Sequence, residues 1–425
     1  MKLRLKRSVG LLATILYGIG IILGAGVYAL VGEAAATAGN SLWLSFVLAA
    51  LVSSFTGLSY MELISMFPQS AAEYVYVKNA FKNKLLAFNV GWIETFADTI
   101  AASTVSLGFA GYFSALFGVS VIPVALVLLA VLSFVNFWGI SESSKLNVIF
   151  SLVETAGLIL VIILALFYGH FGSVNYFEMP YGITGVLSGA ALIFFAYIGF
   201  EDLANISEEV KDAKRNVPKA LLISVLVTTI IYVLVGISVV SLVDWQTLAS
   251  SKAPLALAVS SVLGDQAFFL MSIVALFATA NTVLICLIVV SRHMYGMSAD
   301  GSLPKPLSRI HKKRRTPWVA VIVSMIIAMA FVLLGQIKLV ASITDLGTFY
   351  IFIFVNACAI VLRYRMPDKK RMFRVPLNIG RFPLIPFFGL LTSLLLVFHL
   401  HMDALLIGLA LIISGAVVYL IYKKR

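Results

Sequence analysis

Runs of about 18 or more residues dominated by apolar side chains recur from one end of the chain to the other, and no other feature narrows the possible folds as much. A soluble domain has no interior large enough to hide a dozen such runs, whereas each is about long enough to cross the hydrocarbon of a bilayer. With 61% hydrophobic and 12% charged residues over 425 positions, the chain is far from the soluble averages of about half and about a quarter. Its mean hydropathy of +1.03 agrees. Segments such as 158–167 and 404–418 do not alternate in polarity, which excludes barrel strands. The expected fold class is all-α, a polytopic membrane protein with 12 transmembrane helices. The spans are expected near 9–32, 41–67, 85–116, 121–139, 146–169, 184–207, 217–243, 266–290, 317–335, 338–362, 382–400 and 403–422.

The net charge of +12 would point to nucleic acid in a soluble chain, so the placement of the positive residues decides its meaning. All but Lys252 and Lys338 of the 31 Lys and Arg lie at the termini or in the alternate loops on the same side. The positive-inside rule therefore makes both termini cytoplasmic, in keeping with an even number of spans. The basic run from His311 to Arg315 reads as a cytoplasmic flank against anionic membrane lipid, and no nucleic-acid partner is expected. Residues 1–7 and the apolar stretch after them resemble a signal peptide but lack its small-residue cleavage pattern, so they are read as leading into a retained first helix. Cys286 and Cys358 fall inside spans 8 and 10 as small apolar fillers.

Irregular backbone at membrane depth survives only where it lines a cavity or is buried in protein, so interruptions point to function. Span 1 carries Gly18, Gly20, Gly24 and Gly26 near its centre. Gly20 and Gly24 also fit a small-residue packing face. Span 6 places Gly199, Glu201 and Asp202 in an apolar segment, so it too is expected to be discontinuous. Spans 1 and 6 open two successive groups of five, as in transporters built from inverted repeats. At such breaks free amides face an anionic group and free carbonyls a cationic one, a combination that suits a zwitterion.

Ionisable side chains inside spans are costly and are functional candidates by default. Glu154 in span 5 is either a hydrogen-bonded interhelical acid or a coupling site that alternates between neutral and charged forms. Glu94 and Asp98 share one face of span 3. Asp98 is a candidate for amine binding or proton relay, and Glu94 is expected to meet a loop lysine. Thr279, Asn281 and Thr282 form a polar group in span 8 that suits either Na⁺ ligation or interhelical hydrogen bonding. Asp345 and Thr348 flank Gly347, read as a weak break and an external gate or simple packing. All five histidines lie at span ends or in loops, so none is expected to serve as a midplane relay or metal ligand. A short interfacial helix is expected over 245–264, with Ala253, Leu257 and Val262 on its apolar face.

Three stretches together resemble the amino acid–polyamine–organocation superfamily of permeases: the glycine motif Gly20 to Gly26; Phe194 through Glu201 into Ser207, Glu208, Glu209 and on to Ala220; and Arg292 through Tyr295, Asp300, Gly301, Leu303 and Pro304 to Thr316 and Pro317. The resemblance covers essentially the whole chain. It implies a LeuT-like core of five-plus-five inverted repeats, with boundaries at 1–180, 181–365 and 366–425, the last holding two peripheral spans. It also implies that the substrate carboxylate sits on the amides of Gly24, Ala25 and Gly26, and that the amine meets carbonyls of Ile22, Phe195 and Ile198 around Ala196. Phe195 would close over the substrate as a gate, and Glu201 matches an acid linked to protons in some relatives. Some proton-coupled relatives carry a span-5 lysine where this chain has Glu154, which leaves H⁺ and Na⁺ both open, with Thr279 or Asn281 as ion ligands. Asp202 adds negative charge at the second break.

The function expected is secondary transport of amino acids across the cytoplasmic membrane by alternating access, with H⁺ coupling favoured over Na⁺. Small or apolar side chains are favoured because Ala25, Phe194, Phe195, Tyr197 and Phe200 would form an apolar pocket. A cationic amino acid or polyamine permease is the alternative, resting on Asp98 and Asp202, and an exchanger or Na⁺ symporter would use the same site. No enzyme, metal site or cofactor is expected. A channel or transport-dead sensor is the rival from another class. Oligomeric state does not follow from the sequence.

Overall fold

In an apolar surround a backbone amide has only other backbone groups to bond, so the long apolar runs become helices. The computed structural model describes residues 10–67, 72–138, 143–201, 203, 210–299, 301–314 and 316–423. Its helices are α1 (Leu11–Ile22), α2 (Gly26–Ala38), α3 (Leu42–Met66), α4 (Ala72–Phe81), α5 (Lys84–Phe117), α6 (Val121–Trp138), α7 (Ser143–Tyr168) and α8 (Gly182–Ile193). They continue as α9 (Ala213–Leu242), α10 (Trp245–Ser250), α11 (Pro254–Leu263), α12 (Asp265–Ala299), α13 (Trp318–Val332), α14 (Ile337–Arg365), α15 (Leu384–Val397) and α16 (Met402–Lys423). A two-residue hairpin pairs Asn378–Ile379 with Phe382–Pro383. Residues 1–7, Asp202, Ser207 to Glu209, Asp300 and Arg315 lie outside the described residues.

Among the described residues, eight helical segments are long and apolar enough to cross a membrane, from Gly26–Met66 to Met402–Ile421. Peripheral α6, α7 and α16 expose Val127, Phe134, Leu166, Phe167 and Leu409 by more than half, an outer face that suits lipid and not water. The buried centre is α5, which packs against α12 and α14. Asn83 caps its start by accepting from the Leu86 amide at 3.1 Å. Gly118, in the left-handed region at φ 69°, ends it. Small residues along α5 admit its neighbours closely: Ser103 donates to Ala328 O of α13 at 2.9 Å, and a Cβ on Gly108 would collide with Ala29 of α2.

Three expectations are corrected. The loop expected between 67 and 85 contains α4, whose buried Glu73, Tyr76, Val77 and Ala80 recur at helical spacing but in too short a run to read as a span. The single helix expected over 245–264 is two, α10 and α11. Their buried residues are Leu248, Pro254, Leu255, Ala256, Ala258 and Val259, while Leu257 and Val262 are only half-buried. The weak break at Gly347 is absent: α14 runs through it unbroken, and the glycine instead lets Ala97 of α5 approach, since a Cβ there would lie 3.0 Å from that methyl.

A buried ion cluster fixes the connector after α14. Glu62 of α3 accepts from Arg363 Nε at 2.7 Å, from Arg371 Nε at 3.0 Å and from the Val375 amide at 2.9 Å. Arg371 also donates to the carbonyls of Leu362 and Met366, closing the end of α14. Buried charge is tolerated where every lone pair and proton is matched in this way.

Candidate functional site

Both expected interruptions are present, and they touch. α1 stops at Ile22 and α2 starts at Gly26, leaving Leu23, Gly24 and Ala25 outside either helix. α8 passes into a 3₁₀ turn over Phe194–Tyr197, followed by Ile198 with ψ 140° and Gly199 with φ 115°. That positive φ requires glycine, and Glu201 returns to accept from the Gly199 amide at 3.0 Å. Gly26 is glycine for another reason. A Cβ there would lie 2.6 Å from the Ala196 Cα, so the backbones of the two breaks pack directly on each other.

The carbonyls freed at the breaks are met from α9. Tyr232 donates its hydroxyl to Ile22 O and, at 3.0 Å, to Ala196 O. One proton thus serves two half-helices, and each carbonyl keeps a lone pair for a further donor. On the amide side, the Ala25 N–H points at Thr282 Oγ1 of α12 at 3.4 Å. Nothing in the sequence singled out Tyr232, since a tyrosine in an apolar span carries no signal until its partners are known.

A cavity of about 750 Å³ surrounds the junction. Its walls include Ile22, Gly24, Ala25, Gly26, Phe195, Ala196 and Ile198 of the breaks, and the acids Asp98, Glu154 and Glu201. Asn281 and Thr282 line it as well. Thr279 does not: its hydroxyl donates to Ala275 O within its own helix at 2.6 Å. Glu154 is 1% exposed, its Oε1 meets no donor among the described residues, and its backbone carbonyl accepts from Tyr28 at 2.7 Å.

The apolar wall differs from the expected one. Ala25 and Phe195 belong to it, but Phe194 packs on Phe349 and Phe352, Phe200 on Phe352 and Tyr60, and Tyr197 donates to Phe46 O. Those three hold the second break in place. The apolar surface comes instead from Ile21, Val105, Ile285, Val289, Ile351 and Phe352. Asp345 is fully buried with neither carboxyl oxygen reached by a donor among the described residues, yet it lies off the cavity wall, whereas Thr344 and Thr348 are on it.

Among the described residues, the exposed part of the cavity wall lies at one end. Tyr17, Arg292 and Gly296 on its wall are exposed, whereas Phe195, Val105, Thr344 and Thr348 at the other end are buried. The open end is acidic: Glu73 and Glu94 join Glu201 there, with Tyr60 and His293. Two expectations change here. Glu94, expected to meet a loop lysine, has His293 Nε2 3.7 Å away and Glu73 beside it. His293, discounted for lying at a span end, is a cavity residue because α12 extends to Ala299.

Residues 9–420 match the family model described as amino acid permease. The branched-chain amino acid permease BcaP of Bacillus subtilis is 33% identical over 99% of this chain and 94% of its own length. The methylthioribose transporter of the same organism is 30% identical over 99% and 94%. The vacuolar cationic amino acid transporter 4 of Arabidopsis thaliana is 29% identical over 86% of this chain and 64% of its own length.

Proposed function

From its membership of the amino acid permease family, we propose that this multi-pass membrane protein carries amino acids with apolar side chains across the cell membrane by alternating access. The observation that carries this reading is a cavity of about 750 Å³ bounded by both helix breaks and exposed at one end. That volume falls within the range of sites for small molecules. The amides of Gly24, Ala25 and Gly26 receive the carboxylate, and the carbonyls of Ile22, Phe195 and Ile198 receive the amine. The walls from Ile21, Val105, Ile198, Ile285 and Ile351 receive the side chain, which fits the branched-chain substrate for which the Bacillus subtilis relative is named.

In this reading the chain has twelve spans. α1 with α2 and α8 with the segment after it are the broken spans 1 and 6, and α15 and α16 are peripheral to a five-plus-five repeat divided at 180/181 and 365/366. Both termini are cytoplasmic by the distribution of Lys and Arg. The open end of the cavity then faces the cytoplasm, and Phe195 closes the opposite side. Protons drive transport, with Glu154, Glu201 and Asp98 as the coupling groups. Asn281 with Thr282 offers oxygen ligands for Na⁺ as the other possibility, and Thr279 lies one turn behind.

A second reading is favoured by one observation: five acids, Glu73, Glu94, Asp98, Glu154 and Glu201, line the cavity. That excess suits a cationic amino acid, the substrate class for which the vacuolar relative is named. Counterflow in proteoliposomes preloaded with leucine, arginine or putrescine separates the two. Accumulation with leucine supports the first reading, accumulation with arginine or putrescine the second, and no accumulation from a folded preparation rejects both.

A further inference from the structure

The open end of the cavity joins titratable side chains from four helices: Tyr60 of α3, Glu73 of α4, Glu94 of α5 and His293 of α12. Tyr60 donates to Glu73 Oε1 at 2.9 Å. The carboxyl of Glu94 stands beside that of Glu73, and its Oε2 lies 3.7 Å from His293 Nε2, beyond hydrogen-bond reach. Glu73 is 1% exposed although it lines the cavity, and no N–H or O–H among the described residues reaches its Oε2. Ionised carboxylates have acceptors only, so a hydrogen bond between two of them requires a proton on one. Two adjacent carboxyls in a buried place satisfy the same condition electrostatically, because like charges disfavour double ionisation.

We propose that Glu73 and Glu94 hold one proton between them, forming a proton-binding site that fastens α4 to α5 at the mouth of the cavity. The site is separate from Glu154 and Glu201, and its use in transport rests on the proton-coupled reading above, whereas its existence rests on the contact between the two carboxyls. The groups that face it are Tyr60 from α3, Tyr76 on α4 itself with Cys358 of α14 behind it, and Asp98 one turn along α5. Arg292 and His293 face it from α12, and Glu201 reaches it from the second break. Burial pushes the Glu73 carboxyl up from the ordinary carboxylate range, opposed by hydrogen bonds from its own backbone amide and from Tyr60. Loss of the proton puts two negative charges against each other. α4 has ten residues and α5 has 34, so the short helix yields and the mouth widens.

The site is tested without any substrate. Infrared difference spectra of the full chain in lipid nanodiscs, acid minus alkaline, are expected to contain a protonated-carboxyl band lost in Glu73→Gln and equally lost in Glu94→Gln. Each glutamine supplies an amide N–H where the proton was. Survival of the band in Glu94→Gln would mean that Glu73 is protonated alone, and survival in both would place the proton elsewhere; either overturns the pair. For gating, Cys286 lines the cavity while Cys358 is buried, so the rate of labelling by a bulky maleimide reports access to the mouth. That rate is expected to step up with pH in the native chain and to lose the step in both variants, compared on monodisperse preparations. A flat native profile, or a step retained in either variant, ends the gating role. Failure of amino acid counterflow leaves both readouts standing, so the two readings fail separately.

Discussion

The two ends of the central cavity are built from different materials. At the closed end, backbone amides and carbonyls released by two helix breaks lie beside uncharged hydroxyls, those of Thr344 and Thr348 on the wall and that of Tyr232, which bridges two of the carbonyls. At the open end they are titratable side chains contributed by four helices. Backbone groups keep the same charge at every pH and hold their geometry, which suits recognition of a fixed zwitterion. Carboxyls change charge with their surroundings, which suits a step that must be reversed in every cycle.

Gly26→Val tests the closed end most severely. A branched side chain would drive into the Ala196 backbone and separate the breaks, so counterflow is expected to disappear; ordinary uptake by a well-folded variant would show that the contact between the two backbones is dispensable. Next in size is Glu154→Gln, which is expected to abolish the pH dependence of uptake while sparing exchange. An unchanged pH profile would move coupling to the open end. Tyr232→Phe removes the one donor shared by Ile22 O and Ala196 O, and leaving a buried acceptor unmet costs about 1–3 kcal/mol, or roughly tenfold in substrate affinity. An unaltered KM for counterflow would mean that the substrate's own amine already satisfies both carbonyls.

The smallest effect is expected at the open end. The native state holds the Glu73 proton more tightly than the unfolded chain does, so this group's contribution to stability is present in acid. It is lost as pH rises from the ordinary carboxylate range through the raised value. Glu73→Gln should flatten that part of the thermal-stability profile. An identical slope in variant and native chain would show that burial leaves Glu73 ionised.

The same contrast explains how much could be read from the sequence. Both breaks announce themselves locally, through Gly18 to Gly26 and through Gly199 with Glu201 inside an apolar run, because irregular backbone needs special residues at adjacent positions. Of the side chains expected at the site, Asp98, Glu154, Glu201 and Asn281 do reach the cavity. The open end gives no such notice. Glu73 sits in a ten-residue helix too short to register as a span, and its partners are remote in sequence. The aromatic pocket failed for a related reason: Phe194, Phe195 and Phe200 look alike in a list of residues, but the 3₁₀ turn aims only Phe195 at the cavity.

The ion cluster on Glu62 has a practical consequence for anyone labelling this protein. Residues 366–383 would ordinarily be chosen for a reporter insertion, being largely non-helical and absent from the cavity wall. Yet Arg371 and Val375 on that segment reach back to α3, and Arg371 also closes α14, so the segment acts as a rivet through two spans and not as a leash between them. Lengthening it would uncouple α3 from α14, whereas tags placed on the tip of α10 would leave that joint whole.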